Sequence, residues 1–238
     1  MRATTPGFRF LFSALLGLSA FIFCASSARS DDRPAGTPPE GAKVLFDGKD
    51  LSGWSTMGGK PAAWKLGEGF VEVVPGSGNM RTKGTFGPDF KLHVEFWLPL
   101  MASATSQARA NSGVYLQGRY EVQVLDSYMN DTYKAGECAA LYLLIPTSKN
   151  ANKPPEQWQT YDITFHAPRV DAEGKVTKKG ILTVVFNGQT VIDKGEFDKV
   201  TGGEIDNKIG EPGPIFLQDH GCPIRYRNIW IKPIGEKD

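Results

Sequence analysis

The chain has 238 residues, 27 Lys and Arg against 26 Asp and Glu, a formal net charge of +1 and 40% hydrophobic residues. That balance supplies no basic surface to meet phosphates, which argues against a nucleic-acid partner. The length fits one large β domain or two small ones.

Arg2 and Arg9 form a positive n-region before an apolar run, residues 10–23, that is too short to span a bilayer; Ser26, Ser27 and Ala28 supply small residues for cleavage after Ala28. Residues 1–28 therefore read as an export signal, and the mature protein as periplasmic or extracellular. Cys24 suits a lipoprotein anchor less well, because bulky Phe23 precedes it where a small residue is wanted. No other run is long enough for a transmembrane helix. Loss of Arg2 and Arg9 leaves 25 basic residues against 26 acidic ones, so there is no polybasic membrane tether either. Residues 29–41, rich in Pro and Gly, read as a flexible leader, and 42–235 as a single domain.

The domain opens with AKVLFDGKDLSGW, where Asp47-Gly48 and Ser52-Gly53 are turn dipeptides and Trp54 is an apolar anchor. Residues 62–76 read as a hairpin around 67–69, and 79–88 as a loop. Residues 89–99 form a strand with Leu92, Val94, Phe96 and Leu98 on one face and His93, Glu95 and Trp97 on the other. The loop 101–110 is placed to border a site. The stretch 111–128, NSGVYLQGRYEVQVLDSY, holds two strands, 113–117 and 119–125, joined at Gly118. In the second, Tyr120, Val122 and Val124 share one side; Glu121 and Gln123 share the other. Then come a polar loop at 129–137, a continuous apolar strand at 139–145, a loop at 146–156 and an alternating strand at 158–167. A charged loop at 168–180 leads to a hairpin, 181–186 and 189–193, around Asn187-Gly188, a type I′ pair. After a loop at 196–213, residues 214–219 and 225–231 are the closing strands.

No segment keeps a helical period, and strands recur every 8–15 residues or so with Gly and Pro between them. The expected fold class is all-β: one antiparallel sandwich of two sheets and about a dozen strands. Its core would hold Val94, Phe96, Val114, Leu116, Val122, Val124, Ile163, Phe165, Ile215, Leu217, Ile229 and Ile231. Export would permit a disulfide between Cys138 and Cys222, with two buried free thiols as the equal alternative.

The faces opposite that core collect Glu95 and Trp97, Tyr115, Glu121 and Gln123, Gln218 and His220, and Arg225 and Arg227. If the strands are neighbours, these acids, amides, arginines and aromatics converge on one hollow of the kind that binds sugars. The plain alternative is a solvated outer face. His220 follows Gln218-Asp219 at a strand end, where a carboxylate neighbour could tune it; His166 reads as structural. Glu121, Gln123 and Asp126 sit where retaining β-glucanases carry Glu-x-Asp-x-x-Glu. Double displacement needs two carboxylates about 5–5.5 Å apart. Here Gln replaces the central Asp, and residue 126 of a regular strand faces away from 121, which argues against that route. No Ser-nucleophile signature, phosphate loop or zinc-spaced cluster is present, and loop Asp and Asn residues fix no calcium site.

Taken in order, LFDGKDLSGW, NSGVYLQGRYEVQVLDSY, WQTYDITFHAPR, FNGQTVI and GPIFLQDHGCPIRYRNIWI resemble the family of secreted bacterial 3-keto-disaccharide hydrolases, or 3-keto-glucoside 1,2-lyases and 3-keto-2-hydroxyglucal hydratases, first described as domain of unknown function 1080. The resemblance covers 42–233. Cys222 departs from it where an Asn is common. The resemblance implies a concanavalin A-like jelly roll and an oligosaccharide or 3-keto-glycoside substrate, cleaved by elimination across C1–C2 and hydration. On that footing His220 or Glu121 would be base or acid, with Arg227, Arg225 and Gln218 around the enolate. Asn111, Tyr115, Gln123, Trp97 and Glu95 would hold the sugar. No cofactor is certain; a divalent metal could share the enolate role. A jelly-roll glycoside hydrolase and a non-catalytic carbohydrate-binding module are the alternatives, and fold alone does not choose between them.

Overall fold

The computed structural model describes residues 1, 2 and 36–235. The export signal and most of the leader therefore lie outside the described residues. Strands are numbered in chain order. One sheet has eight: β1 (Lys43–Phe46), β3 (Lys65–Leu66), β4 (Val71–Glu72), β6 (Asp89–Trp97), β9 (Trp158–His166), β12 (Gly180–Phe186), β13 (Gln189–Phe197) and β15 (Arg225–Pro233). The other has five: β2 (Trp54–Thr56), β5 (Met80–Thr82), β7 (Ser112–Leu116), β8 (Tyr120–Val124) and β14 (Phe216–Leu217). A separate ribbon pairs β10 (Arg169–Val170) with β11 (Val176–Lys178). The large sheet runs β13-β12-β9-β6-β15-β4-β3 with β1 beside β15; the small one runs β2-β5-β14-β7-β8. All pairings among these strands are antiparallel. This is the all-β, antiparallel two-sheet sandwich expected from the sequence. Among the described residues no helix is long and apolar enough to cross a membrane.

Alternation explains the layers. Each of the twelve core residues expected from the sequence is buried between the sheets. Aromatic rings cross the interface: Tyr120 of β8 packs at 5.4 Å from Phe165 of β9 and 5.0 Å from Phe197 of β13. Two phenols from the large sheet hydrogen-bond to the back of the small one. Tyr161 Oη donates to Gln123 O (2.6 Å), and Tyr226 Oη to Ser112 Oγ (2.7 Å), which in turn donates to Gln218 O (2.5 Å).

Three local readings change. The apolar run 139–145 is a tight turn, because Ala139 (φ 73°) and Leu143 (φ 59°) adopt left-handed backbone and Ile145 N–H bonds back to Leu141 O. The loop 79–88 contains β5, and the charged loop 168–180 contains the β10–β11 ribbon. Cys138 and Cys222 are both free and buried.

The outer face of the large sheet carries a charged lattice. His93 Nδ1 lies 2.7 Å from Asp162, its ring stacks on Trp230 (5.2 Å, 8°), and Nε2 lies 3.6 Å from Glu95. Burial alone would depress His93, but the hydrogen bonds to Asp162 and Glu95 outweigh it and raise the imidazole to about 9. Burial would likewise raise Glu95, yet His93, Asn228 and Arg227 hold it at about 2. Both shifts stabilise the fold between the unfolded carboxylate and imidazole values. The Glu95 share is lost as pH falls toward 2, the His93 share as pH rises from 6.5 through 9. His93→Gln is expected to cost about 2 kcal/mol at pH 6 and to flatten the decline between pH 6.5 and 9, measured by urea unfolding at each pH.

Candidate active site

On the outer side of the small sheet lies a hollow of about 280 Å³, near the lower end of small-ligand clefts. Its floor is made by Tyr115 of β7, Glu121 and Gln123 of β8, and Gln218 just past β14. These side chains point outward because Val114, Leu116, Val122, Val124 and Leu217 take the inward positions. Three loops build the walls and bury the floor, contributing Gln107 and Asn111, Tyr142, and Gly202-Gly203; His220 stands exposed at the rim.

Tyr115 and Glu121 face each other directly across β7 and β8. Tyr115 Oη lies 2.9 Å from Glu121 Oε2 and 2.9 Å from Gly202 O. A phenol has one proton. The phenol therefore donates to the Glu121 carboxylate or to the Gly202 carbonyl, one at a time. Burial pushes the Glu121 carboxyl up to about 7, against the opposing pull of the Tyr115 hydrogen bond. Burial, and then the Glu121 charge, lifts the phenol well above its ordinary range. Gly113 makes room for the pair, since a Cβ there would sit on Glu121 Oε1. Thr201 Oγ1 accepts the Glu121 N–H at 2.8 Å, fixing the loop that carries Gly202.

The amides around this pair are only half used. Gln123 Nε2 donates to Gln107 Oε1 (2.9 Å) and Gln218 Nε2 reaches Tyr115 Oη at 3.3 Å, while the Oε1 atoms of both are buried without a partner. Asn111 Nδ2 donates to Gln107 O at 2.8 Å. Unpaired buried acceptors call for a ligand that brings donors, as sugar hydroxyls do. Among the described residues no group of three or more His, Cys, Asp or Glu could hold a metal ion.

The structure thus brings Asn111, Tyr115, Glu121, Gln123, Gln218 and His220 together. It separates them from Glu95, Trp97, Arg225 and Arg227, which sit on β6 and β15, on the far face of the other sheet. There Arg225 Nε bonds Glu72 (2.6 Å) between Phe70 and Trp97, and Arg227 Nε bonds Glu95 (2.6 Å) over Trp158. The expected single hollow is therefore corrected: alternation gives a side of a strand, and these strands belong to different sheets. The Asp219 carboxylate accepts the Gly78 and Gly221 N–H groups. Asp126 is buried against Arg109 at 2.7 Å, away from the hollow. His166 stands 3.6 Å from Asp89, within an Asp89–Arg169 pair. Gln107, Tyr142 and Gly202-Gly203 were not singled out. Gln107 lies in the loop expected to border a site, and Tyr142 in the run taken for a strand.

Residues 41–232 match the family described as the 3-keto-alpha-glucoside-1,2-lyase-like domain. A Bacteroides thetaiotaomicron protein named 3-keto-disaccharide hydrolase is 25% identical over 241 residues, spanning 87% of this chain and 83% of that protein. A crystal structure from Parabacteroides distasonis, described as a candidate glycosyl hydrolase, is 38% identical with a TM-score of 0.77, covering 82% of this chain and 85% of that one. A second from that organism, 21% identical with a TM-score of 0.58 over 81% and 99% of the two chains, shares the fold.

A carboxyl raised to about 7 weakens the fold as pH climbs from the unfolded value near 4.5 through 7. Glu121→Gln is expected to gain about 2 kcal/mol over the unsubstituted protein at pH 8 and almost nothing at pH 5. Urea denaturation at the two pH values measures the difference.

Proposed function

The chain belongs to the 3-keto-alpha-glucoside-1,2-lyase-like family, and we propose that it cleaves 3-keto-glycosides by elimination across C1–C2 followed by hydration. The family and the curated relative support a hydrolase acting on carbohydrate. The finer reading rests on one observation. Glu121 is the one carboxylate among the described residues lining the hollow, and its burial favours the protonated form against the pull of the Tyr115 hydrogen bond. Double displacement needs a second carboxylate beside it; elimination does not.

A C3 ketone acidifies the C2 hydrogen. In this reading His220 takes that proton, and the enolate expels the C1 substituent, whose oxygen receives the Glu121 proton. The Glu121 carboxylate then takes a proton from water as it adds to C1, and protonated His220, exposed at the rim and exchanging its proton with solvent, returns a solvent-derived proton to C2. The sum is hydrolysis, with both residues restored. With Arg225 and Arg227 on the opposite face, the enolate oxygen is met by the Gln218 amide nitrogen, whose 3.3 Å contact to Tyr115 is long. Gln123 and Asn111 hold hydroxyls. Where a divalent cation binds, Glu121 with the amide oxygens of Gln123 and Gln218 would hold it, and it would supply polarisation of the ketone. We also place the activity outside the cytoplasm, in one domain, 42–235, released by cleavage after Ala28. N-terminal sequencing of the exported protein should then begin at Arg29.

The test is turnover of 3-keto-trehalose or a 3-keto-glucoside in D2O, followed by NMR, with and without divalent metal. The expected product carries deuterium at C2. Hydrolysis with C2 undeuterated would sink the elimination, and sugar binding with no turnover would favour a binding module. Glu121→Gln should lower kcat at least 100-fold. In the unsubstituted protein kcat/KM should fall as pH rises past about 7, where Glu121 loses its proton.

A further inference from the structure

Tyr142 lines the hollow from a turn that its neighbours hold tightly. Its N–H donates to Glu121 O at 3.0 Å, and Leu143 N–H donates to Ala135 O at 2.9 Å. Tyr142 Oη lies 2.6 Å from Tyr133 Oη, with ring centroids 6.3 Å apart. Tyr133 is fixed from the other side: its ring lies against Gly136, where any Cβ would strike it. The Gly136 backbone is in turn held by Gln107 Nε2 at 2.9 Å, and Glu137 ties the same loop to Thr147 Oγ1 (3.0 Å) and Lys134 (2.7 Å). The two rings are thus rigidly placed at the edge of the hollow, yet Tyr133 is 44% exposed and neighbouring Leu143 58% exposed.

The chemistry of this edge differs from that of the floor. The floor presents unpaired acceptors. Two phenols sharing one hydrogen bond keep one proton free to donate outward, beside exposed ring surface suited to the C–H face of a sugar. The hollow, about 280 Å³, and the tyrosine pair therefore make two adjoining environments, one for a ring rich in hydroxyl donors and one for a ring that stacks and accepts.

We propose that Tyr142 and Tyr133 form the subsite for the leaving half of the substrate, so that the enzyme selects glycosides whose C1 substituent is itself a sugar ring. This rests on the 3-keto-glycoside reading of the hollow. The leaving ring stacks on Tyr142 while the pair's free proton meets one of its oxygens.

The experiment compares kcat and KM on a 3-keto-disaccharide and on methyl 3-keto-glucoside, for the unsubstituted protein, Tyr142→Ala, Tyr142→Phe and Tyr133→Phe. Tyr142→Ala is expected to cost about tenfold more in kcat/KM on the disaccharide than on the methyl glycoside, mostly through KM. Each Phe variant, folded as the parent by circular dichroism, should show the same preference at about threefold, from loss of the phenol hydrogen bond. Equal losses on both substrates, or a disaccharide KM unchanged in all three variants, would overturn the subsite while leaving the 3-keto reading intact. No turnover of either substrate by the unsubstituted protein would overturn both.

Discussion

Two buried tyrosine hydroxyls find their partners across the core, and together they fix the molecule. Tyr161 and Tyr226 belong to the large sheet, but their hydroxyls end on the small one, at Gln123 O and Ser112 Oγ. Those atoms lie on the inner side of the strands whose outer side is the hollow. Because strand side chains alternate, a one-residue slip of β8 would send Glu121 into the core and Val122 to the solvent. The cross-core hydrogen bonds specify one register, with the apolar packing of Tyr120 against Phe165 and Phe197 beside them. The placement of Glu121 opposite Tyr115 follows from this.

The two outer faces use similar residue types to opposite effect. On the large sheet each arginine has its carboxylate and its aromatic ring, and His93 sits between Asp162 and Glu95. Charge there meets charge, and the lattice holds strands together. On the small sheet the polar groups are left incomplete: Gln123 and Gln218 keep unpaired oxygens, and Glu121 is desolvated with only a phenol for company. Incompleteness separates a binding surface from a structural one more clearly than composition does.

This distinction also marks how much was legible in the sequence. Period-two alternation placed the long strands and the twelve core residues, because burial on one side of a strand leaves a strong local signature. It also put Glu121, Gln123, Tyr115, Gln218 and His220 on outward positions. Alternation does not say which strands become neighbours. Arg227 pairs with Glu95 across 132 positions of chain, so local pattern could not tell the arginine face from the hollow. The run 139–145 reads as a strand by hydrophobicity, yet left-handed backbone at Ala139 and Leu143 folds it into a turn; neither residue type announces that conformation. Gln107 was equally silent, since its importance lies in hydrogen bonds to four residues, Asn111, Gln123, Thr132 and Gly136.

The backbone at Gly36 adds a consequence for orientation. Gly36 O accepts hydrogen bonds from Asn228 Nδ2 (2.8 Å) and Trp230 Nε1 (2.9 Å), on the outer face of the large sheet. A Cβ at Gly36 would crowd Asn228, Glu95 and His93, so the chain is fastened there at close range. The polypeptide thus enters the domain on the reverse side of the sandwich from the hollow. A substitution at Gly36 would therefore disturb the His93–Glu95 lattice and leave the hollow untouched.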